Sequence, residues 1–170
     1  MDDEFDIATN PELDQHFLVN PVKIRLLIAA AGIRPSDQVV EVGAGVGTVA
    51  EYVPSCQGLT VIECDPNLTP YLRLRVPHAQ VIQGDALIIL PTTRCDVLLS
   101  NLPSRLTPAI VRLLPILNFR VALVTAPSIE ELAPLRDAFV LESIVVLESD
   151  DFRPQQEIPV EVVRVRRAVV

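Results

Sequence analysis

The chain is 170 residues long, 49% hydrophobic and carries a formal net charge of −8, enough for one domain with a single sizeable core. The negative charge argues against a general nucleic-acid binder, because phosphate neutralisation supplies most non-specific affinity. The longest apolar runs, such as Leu26 to Ala31, fall far short of the ~18 residues a spanning helix needs. With the acidic start, Met1-Asp-Asp-Glu-Phe-Asp6, leaving no signal or transit peptide, this points to a cytoplasmic protein. Cys56, Cys64 and Cys95 show no C-x-x-C spacing and read as reduced thiols. Neither His16 nor His78 sits at zinc-ligand spacing with a cysteine, so no metal site is expected. Six of the 22 acids fall in the first 14 residues, which read as an acidic arm, while Arg164, Arg166 and Arg167 crowd the end.

In chain order, Asn20-Pro21 marks a helix start, an N-cap followed by proline at the first helical position, and Gly32 stops that helix after Ala31. Strands are predicted at about 38–42, 59–63 and 80–83, with helices near 46–53 and 67–75 between them. A buried strand over 96–100 ends at Asn101. Thr107-Pro108 opens a helix to about Leu117, with Pro115 limiting its regularity. Val121 to Thr125 reads as another strand, and Ser128-Ile-Glu-Glu131 fits a capping box opening a helix to about Phe139. Two β-rich runs, 142–147 and 160–169, close the sequence. Strands separated by helices should be parallel and covered on both faces; the last two, with no helix between them, should pair antiparallel. The fold class expected is α/β, Rossmann-like, a seven-stranded mostly parallel sheet with a final antiparallel strand and helices on both faces, formed by residues 15–170 as a single domain.

The stretch Glu41-Val-Gly-Ala-Gly-Val-Gly-Thr48 carries the chemistry. It follows an apolar strand, and the next strand ends on an acid, Glu63, the arrangement of a nucleotide-binding βαβ unit. Glycine lets backbone approach a ligand and adopt positive φ, and the acid suits ribose hydroxyls. The spacing is G-x-G-x-G rather than the dinucleotide G-x-G-x-x-G, and with Glu41 before it this suits S-adenosylmethionine, which has no pyrophosphate.

Four segments, in order, resemble one family. Leu13-Asp-Gln-His-Phe-Leu-Val-Asn20 is similar to a G-Q-x-F-L-x-[DN] motif, with Asp14 where glycine is usual. Val40 to Gly47 resembles V-x-E-[IV]-G-x-G-x-G, Leu59 to Asp65 a ribose-binding strand end, and Gln83-Gly-Asp-Ala86 an adenine-binding turn. Asn101-Leu-Pro-Ser104 falls where a catalytic N-L-P-[YF] belongs. Together these resemble the rRNA adenine N6-dimethyltransferases, over about residues 13–167. The resemblance implies class I S-adenosylmethionine-dependent methyl transfer to an RNA adenine. It places Gln15, Phe17 and Leu18 at the cofactor's methionine end, and Glu41, Gly43, Ala44, Gly45 and Gly47 in its floor. Glu63 and Cys64 fall at the ribose, and Asp85 and Ala86 at the adenine. Asn101, Leu102, Pro103 and Ser104 become the catalytic turn, with Asn101 also facing the cofactor.

The resemblance is interrupted on the acceptor side. The family's aromatic after Asn-Leu-Pro stacks on the flipped base; here it is Ser104, leaving Phe17 or Phe119 to supply a ring. The family carries a helical C-terminal RNA-binding domain, whereas this sequence ends straight after the last strand, so RNA grip would fall to a protein partner or a homo-oligomer. Two alternatives therefore stand beside RNA adenine methylation: the same transfer to a small molecule or protein, and a non-catalytic domain that keeps the cofactor. Plain structural readings also stand: Asn101 as a turn residue, Asp85 as a loop residue, Glu63 as a solvated strand end, Gln15 as a polar neighbour of a helix, and His16 and His78 at the surface.

Overall fold

The computed structural model describes residues 11–168; most of the acidic arm (1–10) and the last residue of the predicted final strand, Val169, lie outside the described residues. Nine strands are present among them: β1 (Phe17–Leu18), β2 (Gln38–Val42), β3 (Gly58–Glu63), β4 (Gln80–Gln83), β5 (Val97–Ser100), β6 (Val121–Ala126), β7 (Phe139–Leu147), β8 (Phe152–Arg153) and β9 (Val160–Arg167). Four α-helices accompany them, α1 (Pro21–Ala31), α2 (Thr69–Arg75), α3 (Ala86–Ile89) and α4 (Thr107–Leu113).

Seven strands form one sheet in the order β4-β3-β2-β5-β6-β9-β7. The first five pair in parallel, and β9 lies antiparallel between β6 and β7. The short β2, β5 and β6 are apolar on both faces because both faces are covered. Val39 and Leu99 point into the core beneath α1, while Val40, Val42 and Leu98 point into the opposite core with Ile110 and Leu114. The order reverses at β2, whose partners are β3 on one side and β5 on the other. In such sheets the crevice at the carboxyl ends of the strands beside the reversal is the ligand site.

Local chemistry explains the elements that match and those that differ. At α1, the Asn20 side chain accepts from the Val22 and Lys23 N–H groups, and Gly32 closes the helix with φ 54°. The helix expected over 46–53 is reduced to a 3-10 turn, Ala50–Tyr52. Gly47 there adopts φ 88°, which no α-helix tolerates, and Val46, Val49 and Val53 are β-branched. The helix expected from Ser128 is a 3-10 segment, Ile129–Leu135, with Pro134 inside it; proline supplies no N–H for an α-turn. The capping box expected there does not form. Ser128 makes no side-chain cap, and the Ile129 N–H goes to Glu161 Oε2 at 2.9 Å. A capping box forms instead between Glu148 and Asp151. Pro115 ends α4 at Leu113, after which the chain tightens into a 3-10 turn.

A second, two-stranded sheet escapes the sequence reading altogether. β1 pairs antiparallel with β8, Phe17 opposite Arg153 and Leu18 opposite Phe152. Nearby, Asn20 Nδ2 donates to Asp151 Oδ1 at 2.5 Å and the Val19 N–H donates to Asp151 O at 2.8 Å. The segment before α1 is thereby tied to β8 and to the turn that precedes it.

Candidate functional site

At the carboxyl ends of β2, β3, β5 and β6 lies a cavity of about 400 Å³. Its floor is the loop after β2. Gly43, Gly45 and Gly47 have φ of 68°, 57° and 88°, a region in which a side chain is strained. Space is tight there as well. A β-carbon on Gly43 would stand 2.6 Å from Leu102 Cδ2, one on Gly45 2.7 Å from the Phe17 ring, and one on Gly47 2.9 Å from Leu72 Cδ1.

The acid closing β3 organises this loop. Glu63 Oε2 accepts the Gly45 N–H and Oε1 the Asp65 N–H, each at 2.8 Å, and Asp65 Oδ2 accepts Gln15 Nε2 at 2.9 Å. Glu63 is buried yet borders the cavity, and a carboxylate has lone pairs left for further donors. Below it Glu41 is 2% exposed, and its Oε2 has no partner among the described residues. Burial, with the neighbouring Glu63 carboxylate, pushes the Glu41 carboxyl up to about 8. Burial and Glu63 also push the Cys64 thiol up to about 11, so Cys64 lines the wall as a thiol and not as a nucleophile.

The other side of the cavity is the turn after β5. Asn101, Leu102, Pro103 and Ser104 all line it, with Ser104 opening a 3-10 turn that leads into α4. The roof is the segment ahead of α1. Asp14 adopts φ 55°, which accounts for glycine at the matching position of the resembling motif. His16, expected at the surface, borders the cavity with its Nδ1 3.0 Å from Pro154 O and its Nε2 3.2 Å from Asp14 Oδ1. Arg105 reaches across to Leu13 O at 3.2 Å. Residues 11–14, expected in the arm, thus form a 3-10 turn (Pro11–Leu13) and part of the wall.

Of the residues singled out from sequence, Gln15, Phe17, Gly43, Gly45, Glu63, Cys64 and the Asn101–Ser104 turn converge on this one cavity. The remainder lie apart from its wall. Leu18, Ala44 and Ala86 are core residues, and Gly47 packs against Leu72. Glu41 is buried beneath the loop. Asp85 caps α3, its Oδ1 accepting the Leu87 N–H at 2.8 Å. Phe119 is no candidate ring for the site. It stacks on Phe139 with centroids 5.8 Å apart and is buried in the far core. Sequence reading missed His16, Arg105, Thr125 and the 155–158 stretch. Two-residue strands carry no periodic pattern, so nothing in the sequence announced that the β8–β9 connection returns to the roof.

The profile of the ribosomal RNA adenine dimethylases matches residues 7–114, nearly two thirds of the sequence. The chain belongs to that family. Among ribosomal RNA small subunit methyltransferases A, the protein of Chlorobium chlorochromatii is 36% identical over 111 residues, covering 62% of this chain and 42% of its own length. That of Thermobifida fusca is 34% identical over 142 residues, covering 75% of this chain and 50% of its own. The chain thus spans about half the length of the curated relatives it matches. A dimethyladenosine transferase structure from Plasmodium falciparum superposes with a TM-score of 0.79 at 20% identity, over 90% of this chain and 64% of that one; this similarity shows the fold. Ribosomal RNA adenine dimethylases are S-adenosylmethionine-dependent, and the floor fits that group. Gly43 and Gly45 bring bare backbone to the cavity wall at positive φ, beside the Glu63 carboxylate, which borders the same cavity. Among the described residues no His, Cys, Asp or Glu group could hold a metal ion, and no helix is long and apolar enough to cross a membrane.

Proposed function

We propose that this protein transfers a methyl group from S-adenosylmethionine to the N6 of an adenine in RNA. The observation that carries the reading is that the Asn101-Leu102-Pro103 turn and the Gly43–Gly45 floor border one cavity, with Leu102 packed against Gly43. S-adenosylmethionine, when bound, supplies an electrophilic sulfonium methyl. Gly43 and Gly45 present bare backbone to it, Glu63 accepts from ribose hydroxyls, Gln15 lies at the methionine end, and Asp85, whose Oδ1 caps α3, leaves its second carboxylate oxygen to accept from the adenine amino group.

The acceptor amine is a poor nucleophile because its lone pair is conjugated with the purine ring. The Asn101 side-chain oxygen and the Leu102 carbonyl accept its two N–H groups and favour a pyramidal nitrogen, so that the lone pair turns towards the methyl. Pro103, at φ −49°, stiffens the turn that presents both oxygens. This is positioning and electrostatics with no covalent intermediate on the protein. The target base is flipped out of its helix to reach the turn. A protein partner or a second copy of the chain adds RNA grip beyond the base, and the setting is cytoplasmic.

Tritiated methyl transfer from S-adenosylmethionine into a lysate lacking this protein tests the reading. The expected result is label in RNA, recovered on digestion as N6-methylated adenosine. Label in protein or small molecules, or no label, would overturn it.

A further inference from the structure

Large apolar side chains stand exposed at several places on the described surface, but of those only Ile158 borders the cavity, at 55% exposure. It is presented by an ordered connection. Gln156 Nε2 donates to Ile158 O at 2.8 Å, and the Ser149 hydroxyl donates to Gln156 O. Pro159 and the buried Val160, which begins β9, follow directly. An isoleucine so placed gains from being covered by a flat apolar ligand face, since water is removed without a new conformation having to be ordered.

The rings near the site are otherwise committed. Phe17 is 6% exposed and lies over Gly45. Both His16 nitrogens sit against acceptors, Asp14 Oδ1 and Pro154 O. Ser104 follows Asn-Leu-Pro without a ring. We infer that Ile158 packs on the face of the acceptor adenine and is a specificity-determining residue of the site. The inference rests on the reading of an adenine acceptor.

The test uses the full chain loaded with S-adenosylhomocysteine, labelled at isoleucine δ1 and leucine δ methyl groups, and titrated with adenosine as the probe. The Ile158 signal is assigned by its loss in Ile158→Val. The expected result is a saturable upfield shift of that methyl, smaller with uridine, whose ring current is weaker. An unmoved Ile158 methyl while Leu102 methyls shift, or no adenosine binding at all, overturns the inference. This readout needs no turnover. If adenosine moves Ile158 in a protein that labels no RNA, RNA methylation fails and the Ile158 contact stands. Where RNA is labelled, Ile158→Ala should raise the KM for RNA ~3- to 10-fold, from loss of about half a buried isoleucine, with cofactor affinity unchanged. Ile158→Phe should lower that KM, and Ser104→Tyr should rescue Ile158→Ala. An Ile158→Ala protein with unaltered KM for RNA would also overturn the inference.

Discussion

Leu102 occupies the space that a side chain on Gly43 would need: its Cδ2 lies 2.6 Å from the position of that missing β-carbon, and Asn101 O lies 3.5 Å from it. The floor and the Asn101-Leu102-Pro103 turn are therefore in direct contact. Gly43→Ala should displace the turn as well as strain the loop at φ 68°. The expected loss of methyl transfer is roughly 100-fold, the scale of a 1 Å misplacement. Single-turnover transfer beside calorimetric cofactor binding separates the two effects, and a variant with unimpaired transfer would refute the coupling.

On the proposed mechanism, Asn101→Ala removes one of the two acceptors for the amine. By analogy with loss of one preorganised polar group, kcat should fall ~10²- to 10³-fold, with cofactor affinity changed far less. Unchanged biological activity of the variant would favour a binding role for the domain.

Ser104→Tyr supplies a ring beside the turn. Base–aromatic stacking of about 1–3 kcal/mol should improve kcat/KM for the RNA acceptor by about 5- to 150-fold. A decrease would show that the base does not lie at residue 104.

Glu41 makes stability depend on pH. Its carboxyl is raised from 4.5 to about 8 by burial and by Glu63. Between those values the folded state keeps a proton that the unfolded chain has released. Stability from this group is fully present below about 4.5 and declines as pH rises towards about 8, by at most roughly 1.4 kcal/mol per pH unit. Glu41→Gln should flatten that decline, so its Tm relative to the unsubstituted protein should rise between pH 5 and pH 9. A constant difference across that range would show that Glu41 titrates normally.

Asp14 holds φ 55° with a side chain half exposed beside His16. An exposed pair of this kind contributes little, so relief of backbone strain should dominate in Asp14→Gly. The expected gain is up to ~1 kcal/mol, or ~2–4 °C in Tm, whereas Asp14→Val should lose stability. Thermal denaturation of the two variants decides it.

The large sheet was legible in the sequence because apolar runs of four to six residues, separated by helix caps and prolines, leave little choice of topology. Asn20, Pro21 and Gly32 set α1 through local hydrogen bonds and φ alone, so the reading there needed no tertiary knowledge. The failures were tertiary or concerned backbone competition. Ser128 and Glu131 had the residue types of a capping box, but the Glu131 N–H that the box would cap bonds to Ser128 O in a 3-10 turn, and Pro134 prevented the α-turns. Glycine spacing located the floor of the site. The roof depended on β1 finding β8, an association of two residues with two.

That ribbon has a consequence for biosynthesis. The floor uses Glu41 to Glu63, made early, whereas His16 contacts Pro154, 138 residues further along the chain. Loop closure over such a separation is slow compared with local structure. On the ribosome the glycine loop can form while the cavity still lacks its cover, and the N-terminal segment must wait, undocked, until Phe152 and Arg153 emerge. The site is completed only once the β8–β9 connection has been synthesised, so products truncated before it would carry the floor without a closed cavity.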